Sequence, residues 1–170
     1  MKDNFEQCLA LVLKSEGGFV NNVKDPGGMT NLGVTKAVWE NWVGHPVTEA
    51  DMRALGPKDV APLYKANYWD KIGGDSLLLG IDYAVFDMAV NSGVSRAAKT
   101  LQQVLGVGAD GKIGQATINA CEAANAREVA TGVCEERLAF LQSLPTYDTF
   151  GRGWANRVAS VEKTAFDMAS

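Results

Sequence analysis

The chain has 170 residues and a mass of 18.1 kDa, the size of one domain or of one domain with a small appended module. At 46% hydrophobic and 21% charged residues its usage is globular, which excludes the disordered and fibrous classes. A net charge of −4 argues against nucleic acid and against an anionic membrane surface, because both are held by clustered Lys and Arg.

From the N-terminus, Phe5, Leu9, Val12 and Glu16 fall on one helical face that Cys8 and Leu11 widen. The pattern predicts a helix over about 3–15, with Asp3 near the N-cap and Gly17-Gly18 as its stop. Gly18 to Thr35 is rich in Gly, Val and Thr, with a turn signal at Asp25-Pro26-Gly27-Gly28, and reads as a short β-hairpin or small sheet. Lys36–Val43 reads as a helix, and Thr48 followed by Asp51 as the capped start of a short one that Gly56 ends. Pro57 opens the next helix, through about Tyr68. A long apolar helix is expected over about 76–91, stopped by Gly93, and another from a Ser95 cap to Gly106. Ala109–Gly114 reads as a turn, and two or three helices fill the rest, with breaks near Asn125, Pro145 and the glycines before Trp154. The fold class is mainly α, with one small β element near the N-terminus. A boundary is expected near Ser95, between parts not separated by a linker.

The familiar hydrolytic arrangements are poorly supported. Cys8, Cys121 and Cys134 form no CxxC and read as reduced structural thiols. His45 is the single histidine, in a Gly-His-Pro loop, and there is no HExxH or GxSxG. The sequence around 110–114 lacks the alternating acids and terminal Glu of a calcium loop. No metal site and no cofactor are expected. The N-terminus does not read as a secretory signal, and the apolar run Leu77–Ile81 is too short to span a bilayer.

Carboxylates carry the chemical signal. Glu16 continues an apolar face at the C-terminal end of its helix, where burial and the helix dipole both favour the uncharged carboxyl, the form a general acid needs. The alternative is a helix-end side chain turned to solvent or paired with Lys14 or Lys36. Asp25 is either an ordinary turn residue or a second carboxylate facing Glu16 across a groove, the glycosidase arrangement. Thr30 is either a plain strand residue or the holder of a water between them.

Glu16-Gly17-Gly18-Phe19-Val20-Asn21 and then Asp25-Pro26-Gly27-Gly28-Met29-Thr30-Asn31-Leu32-Gly33-Val34-Thr35 resemble the signature of glycoside hydrolase family 108, the peptidoglycan N-acetylmuramidases of phage endolysins and secretion-associated lysozymes. The Glu, Asp, Thr order is also similar to that of phage-type lysozymes, with a turn one residue shorter. Asn67-Tyr68-Trp69-Asp70 and Phe86-Asp87 through Gly93 resemble further segments of the family. Leu101-Gln102-Gln103, Asp110 through Gly114, Thr117 and Gly151 through Arg157 resemble a peptidoglycan-binding module fused behind it.

The resemblance implies a lysozyme-like α+β fold, a helical bundle with a small β-hairpin flanking a cleft. It implies a catalytic region over 1–94 and a peptidoglycan-binding region over 95–170. It carries Glu16 over as the catalytic acid, Asp25 as the partner carboxylate and Thr30 as the water-orienting hydroxyl. Expected substrate contacts are Asn31, Tyr68, Trp69, Asp87 and Asn91. Asp87 and Asn91, one turn apart on an apolar helix, either tie the core to the hairpin or line the sugar cleft. Tyr64, Tyr68 and Trp69 either stack on pyranose rings or fill the core. Trp154 and Arg152 follow a Gly-rich break and read as a packed Trp beside an exposed Arg.

The implied activity is hydrolysis of the β-1,4 bond between N-acetylmuramic acid and N-acetylglucosamine, by inversion if Thr30 holds the water. A lytic transglycosylase and a non-catalytic cell-wall binding or secretion accessory protein are the alternatives. The expected partner is the peptidoglycan glycan strand, met by a monomer made in the cytoplasm and released to the wall by another factor, with no nucleic acid and no membrane insertion.

Overall fold

The structure is a computed structural model that describes residues 4–24 and 28–169. The Asp3 cap and the Asp25-Pro26-Gly27 turn lie outside the described residues. The fold is mainly α, with one small antiparallel sheet. Its backbone divides into two compact units, Leu9–Ala66 and Met1–Cys8 with Asn67–Ser170.

Helix α1 runs Phe5–Glu16 and buries Phe5, Cys8, Leu9, Val12 and Leu13, the predicted stripe. Gly17, at φ +81°, ends it, its N–H reaching the Leu13 carbonyl. Three short strands follow: β1 Val20–Asn21, β2 Met29–Asn31 and β3 Val34–Thr35, in the order β1-β2-β3. The β element is thus a three-stranded sheet, with Val20 opposite Thr30 and Asn31 opposite Val34. Thr35 ends β3 and caps α2, Lys36–Val43, by accepting from the Val38 N–H. Thr48 and Asp51 form the expected capping box on α3, Glu49–Arg53. Helix α4, Pro57–Tyr64, continues as a π-helical turn over Lys65–Trp69.

The second unit is built on α5, Ile81–Ser92, whose residues 81–89 are all buried. A helix apolar on every side has to be wrapped on every side. α6 (Val94–Leu105), α8 (Ala126–Gln142) and α9 (Tyr147–Met168) pack against it, and α7 (Gln115–Glu122) packs on α6. Phe5, Trp69 and Phe86 pack as a trio with centroids 5.3–5.9 Å apart. Gln102 is buried and holds the 110–114 turn, accepting from the Gly111 N–H while its amide donates to Asp110, the Lys112 carbonyl and Thr117.

Three boundaries differ from those read in the sequence. α5 starts at Ile81 rather than near Ser76, because Leu77 is extended and Gly80 sits at φ +90°. A Cβ on Gly80 would strike the Ala165 carbonyl of α9, so the chain turns there on a glycine. α6 is capped by Gly93, one residue before Val94, and Ser95 lies inside its first turn. The glycines before Trp154 make no break, since α9 runs through Gly151 and Gly153.

The buried titratable groups of this unit are scaffold. All three cysteines are free and buried, and burial raises each thiol, Cys134 to about 12, so none is a thiolate nucleophile at neutral pH. Asp82 is fully buried, accepting from Asn4 and from the N–H groups of Gly80 and Tyr83. Burial still raises its carboxyl above the ordinary value against those bonds.

Candidate active site

Glu16 closes α1 and is half-buried. Its surroundings are set by the turn between β2 and β3. Leu32 and Gly33 connect these strands with positive φ at both positions, +51° and +76°. That is the two-residue hairpin turn whose backbone follows the sheet twist, but it forces a leucine into a left-handed conformation that glycine or asparagine usually takes. The Tyr64 hydroxyl on α4 donates to the Leu32 carbonyl at 2.8 Å and fixes the turn.

Gly33 is the point of closest approach. A Cβ there would lie 3.0 Å from both Cβ and Cγ of Glu16 and 2.5 Å from the Tyr64 hydroxyl oxygen. The turn backbone therefore lies against the aliphatic stem of Glu16, in space that only a glycine leaves open. Strain kept at a site that positions a carboxyl group is the kind of local cost that functional sites carry. Sequence reading placed the important turn at Asp25–Gly28 and missed this one. The signal was present in Asn31-Leu32-Gly33-Val34, a glycine in a two-residue step between strand formers.

Thr30 is half-buried in the middle of β2, paired with Val20 on one side and Thr35 on the other. Asn31 is 5% exposed and its amide donates to the Met52 and Leu55 carbonyls, so it ties β2 to the α3 region. Successive strand residues face opposite ways, which puts Thr30 on the face away from α3. Arg53 stacks over Phe19, 4.1 Å from its ring centroid, beside the same sheet. His45 is exposed with Nδ1 2.9 Å from the Pro46 carbonyl oxygen, the loop residue it was expected to be.

The remaining expected contacts belong to the other unit. Trp69 has no exposed surface, packs in the aromatic trio and donates from Nε1 to Asp75. It has no face open to a sugar ring. Tyr68 is half-buried. Asp87 is wholly buried and has no surface to line a cleft. Instead, Arg137 donates to its Oδ2 at 2.6 Å, and Arg157 spans both oxygens at 3.1 and 3.2 Å. Arg137 also donates to Asn91 Oδ1 at 3.2 Å, and Asn91 itself is exposed. Of the two helix residues, then, Asp87 anchors a charge network and Asn91 alone reaches the surface. Among the described residues no group of His, Cys, Asp and Glu side chains is placed to hold a metal, and no helix is long and apolar enough to cross a membrane.

The sequence model described as "Glycosyl hydrolase 108" matches residues 9–93, half of the chain, and one described as "Predicted Peptidoglycan domain" matches residues 96–159. Among solved structures the chain is similar to SagA of Brucella abortus, at 41% identity and a TM-score of 0.87 over 99% of this chain and 97% of that one. No protein with a curated description matches it. A half-buried glutamate seated on a strained turn, inside the segment that the hydrolase model covers, agrees with these likenesses: the chain belongs to glycosyl hydrolase family 108 and continues into a peptidoglycan domain.

Proposed function

We propose that the protein hydrolyses the β-1,4 bond between N-acetylmuramic acid and N-acetylglucosamine in peptidoglycan. The observation that carries this reading is the seat of Glu16, half-buried at a helix end with its stem against Gly33. Such a seat suits a general acid, whose carboxyl must be held in one place to protonate the leaving glycosidic oxygen.

In this mechanism Glu16 gives its proton to that oxygen as the bond breaks. Positive charge develops on the sugar ring, in an oxocarbenium-like transition state. Asp25 is the second carboxylate, either stabilising that charge or activating water. Thr30, on the sheet face away from α3, orients the water. A single displacement by that water inverts the anomeric carbon, and a carboxyl separation of roughly 6.5–9.5 Å would accompany it. Residues 1–94 carry the chemistry and residues 95–170 engage the wall polymer.

Mass analysis of the products from purified sacculi tests the reading. Hydrolysis gives muropeptides with a free reducing end. A lytic transglycosylase closes a 1,6-anhydro ring instead, and its products are lighter by one water. An accessory protein without turnover releases nothing. Anhydro products or no products would overturn the proposal, and NMR of the first-formed anomer separates inversion from retention.

A further inference from the structure

Two adjoining cavities open on the helical unit, of about 470 and about 320 Å³, both lined by Ser92 and Arg96. The larger also has Lys99 on its wall, together with the first turn of α6, which no side chain caps. The smaller has Asn91, Phe140 and Trp154. Arg96 lies over Phe140, its Cζ 3.8 Å from the ring centroid, and Trp154 is stacked on Phe150 at 5.7 Å. Phe150 is 54% exposed, so the aromatic wall extends onto the surface.

The charge of this groove is one-sided. Among the described residues no aspartate or glutamate lines either cavity, although acids outnumber bases in the chain by 20 to 16. Among the described residues neither Arg96 nor Lys99 has a carboxylate partner. The oxygen of Asn91 already accepts from Arg137, so its amide has N–H groups left to offer. Two unpaired cations and an amide donor beside an aromatic wall select a ligand that alternates carboxylates with small apolar groups. A glycan strand without peptide offers only the lactyl carboxylate of each N-acetylmuramic acid, one per disaccharide, whereas the stem peptide carries several carboxylates close together.

We propose that this groove binds the stem peptide of peptidoglycan, an acidic peptide whose free carboxylates meet Arg96 and Lys99 while its alanyl methyls lie against Phe140 and Trp154. The proposal rests on the cell-wall reading above for the identity of the ligand, but it concerns residues other than Glu16. The groove makes the enzyme prefer glycan that still carries peptide.

The test is a titration of the full chain with the free tripeptide L-Ala-γ-D-Glu-diaminopimelate, followed by NMR at the residue 92–99 amides and the Trp154 indole. Inorganic phosphate is titrated in parallel. The account expects saturable tripeptide shifts at these positions, and a Kd weakened about tenfold by Lys99→Glu and again by Arg96→Glu, as loss of a charge-assisted hydrogen bond implies. Both side chains are exposed, so the variants should fold, and Arg96→Lys should restore part of the binding. No shift at millimolar tripeptide, equal shifts with phosphate, or unchanged binding in Lys99→Glu would overturn it.

A second arm compares intact sacculi with the glycan strands that an amidase releases from them by removing the peptide. Lys99→Glu should lose the wild-type preference for intact material, and a preference that survives would contradict the proposal. Because the titration needs no turnover, a protein that binds tripeptide and cleaves nothing would sink the muramidase reading alone.

Discussion

The Glu16 unit packs thinly: its strands have two, three and two residues, α2 has no buried residue, and Val20, Val23, Val38 and Trp42 stand exposed. In the other unit, α5 alone buries residues 81–89, and around it lie a closed aromatic trio and a buried charge network. In the thin unit a strained turn is held by one tyrosine hydroxyl and one glycine. In the dense unit geometry is over-determined by packing. Segments with few buried contacts open at low cost, and sites that admit a polymer are drawn from them. The proposed mechanism thus places its general acid on the lightly packed part, while packing in the dense part holds shape.

Substitutions can break this contrast, from the largest expected loss of stability to the smallest. Asp87→Ala leaves the buried Arg137 guanidinium without its carboxylate beside the partly exposed Arg157, and about 3–5 kcal/mol should be lost in urea unfolding. A loss under about 1 kcal/mol would mean that the network is not a keystone of the dense unit. Gly33→Ala puts a methyl group onto Tyr64 and Glu16 at φ +76°. It should cost about 1–3 kcal/mol. Because it displaces the Glu16 stem, kcat should fall by up to about 100-fold. A folded Gly33→Ala with wild-type turnover would remove the turn from the account.

Tyr64→Phe deletes the bond to the Leu32 carbonyl. About 1 kcal/mol should go, with a smaller fall in kcat than for Gly33→Ala. The smallest effect is at Asp82, whose carboxyl is raised by burial. A raised acid contributes stability below its unfolded value and loses it as pH climbs through the folded one. Wild type should therefore lose Tm relative to Asp82→Asn as pH rises above about 3.9. A difference flat with pH would contradict the assignment.

Local features were legible. Glycines marked the ends of α1 and α6, Thr48 and Asp51 announced their capping box, and the apolar period of α1 set its buried face. Glu16 stood out because it broke the polarity of that period. What sequence did not disclose depends on residues far along the chain. Asp87 and Asn91 share a helix face, but their different fates follow from Arg137 and Arg157, 50 and 70 residues away from Asp87. Asn31 reads as a site residue beside Thr30 until its amide is seen on the Met52 carbonyl, and Trp69 reads as platform or core until Phe5 and Phe86 enclose it. Ser95 was read as a cap from its residue type, yet Gly93 already supplied the turn between α5 and α6.

The central claim is that Glu16 supplies the proton for glycan cleavage, and the comparison of wild type with Glu16→Gln in clearing permeabilised cells tests it most directly. The account predicts a loss of at least ~10²–10⁴-fold, as removal of a general acid entails, with an unchanged thermal unfolding curve. A folded Glu16→Gln protein that still clears the suspension would contradict it.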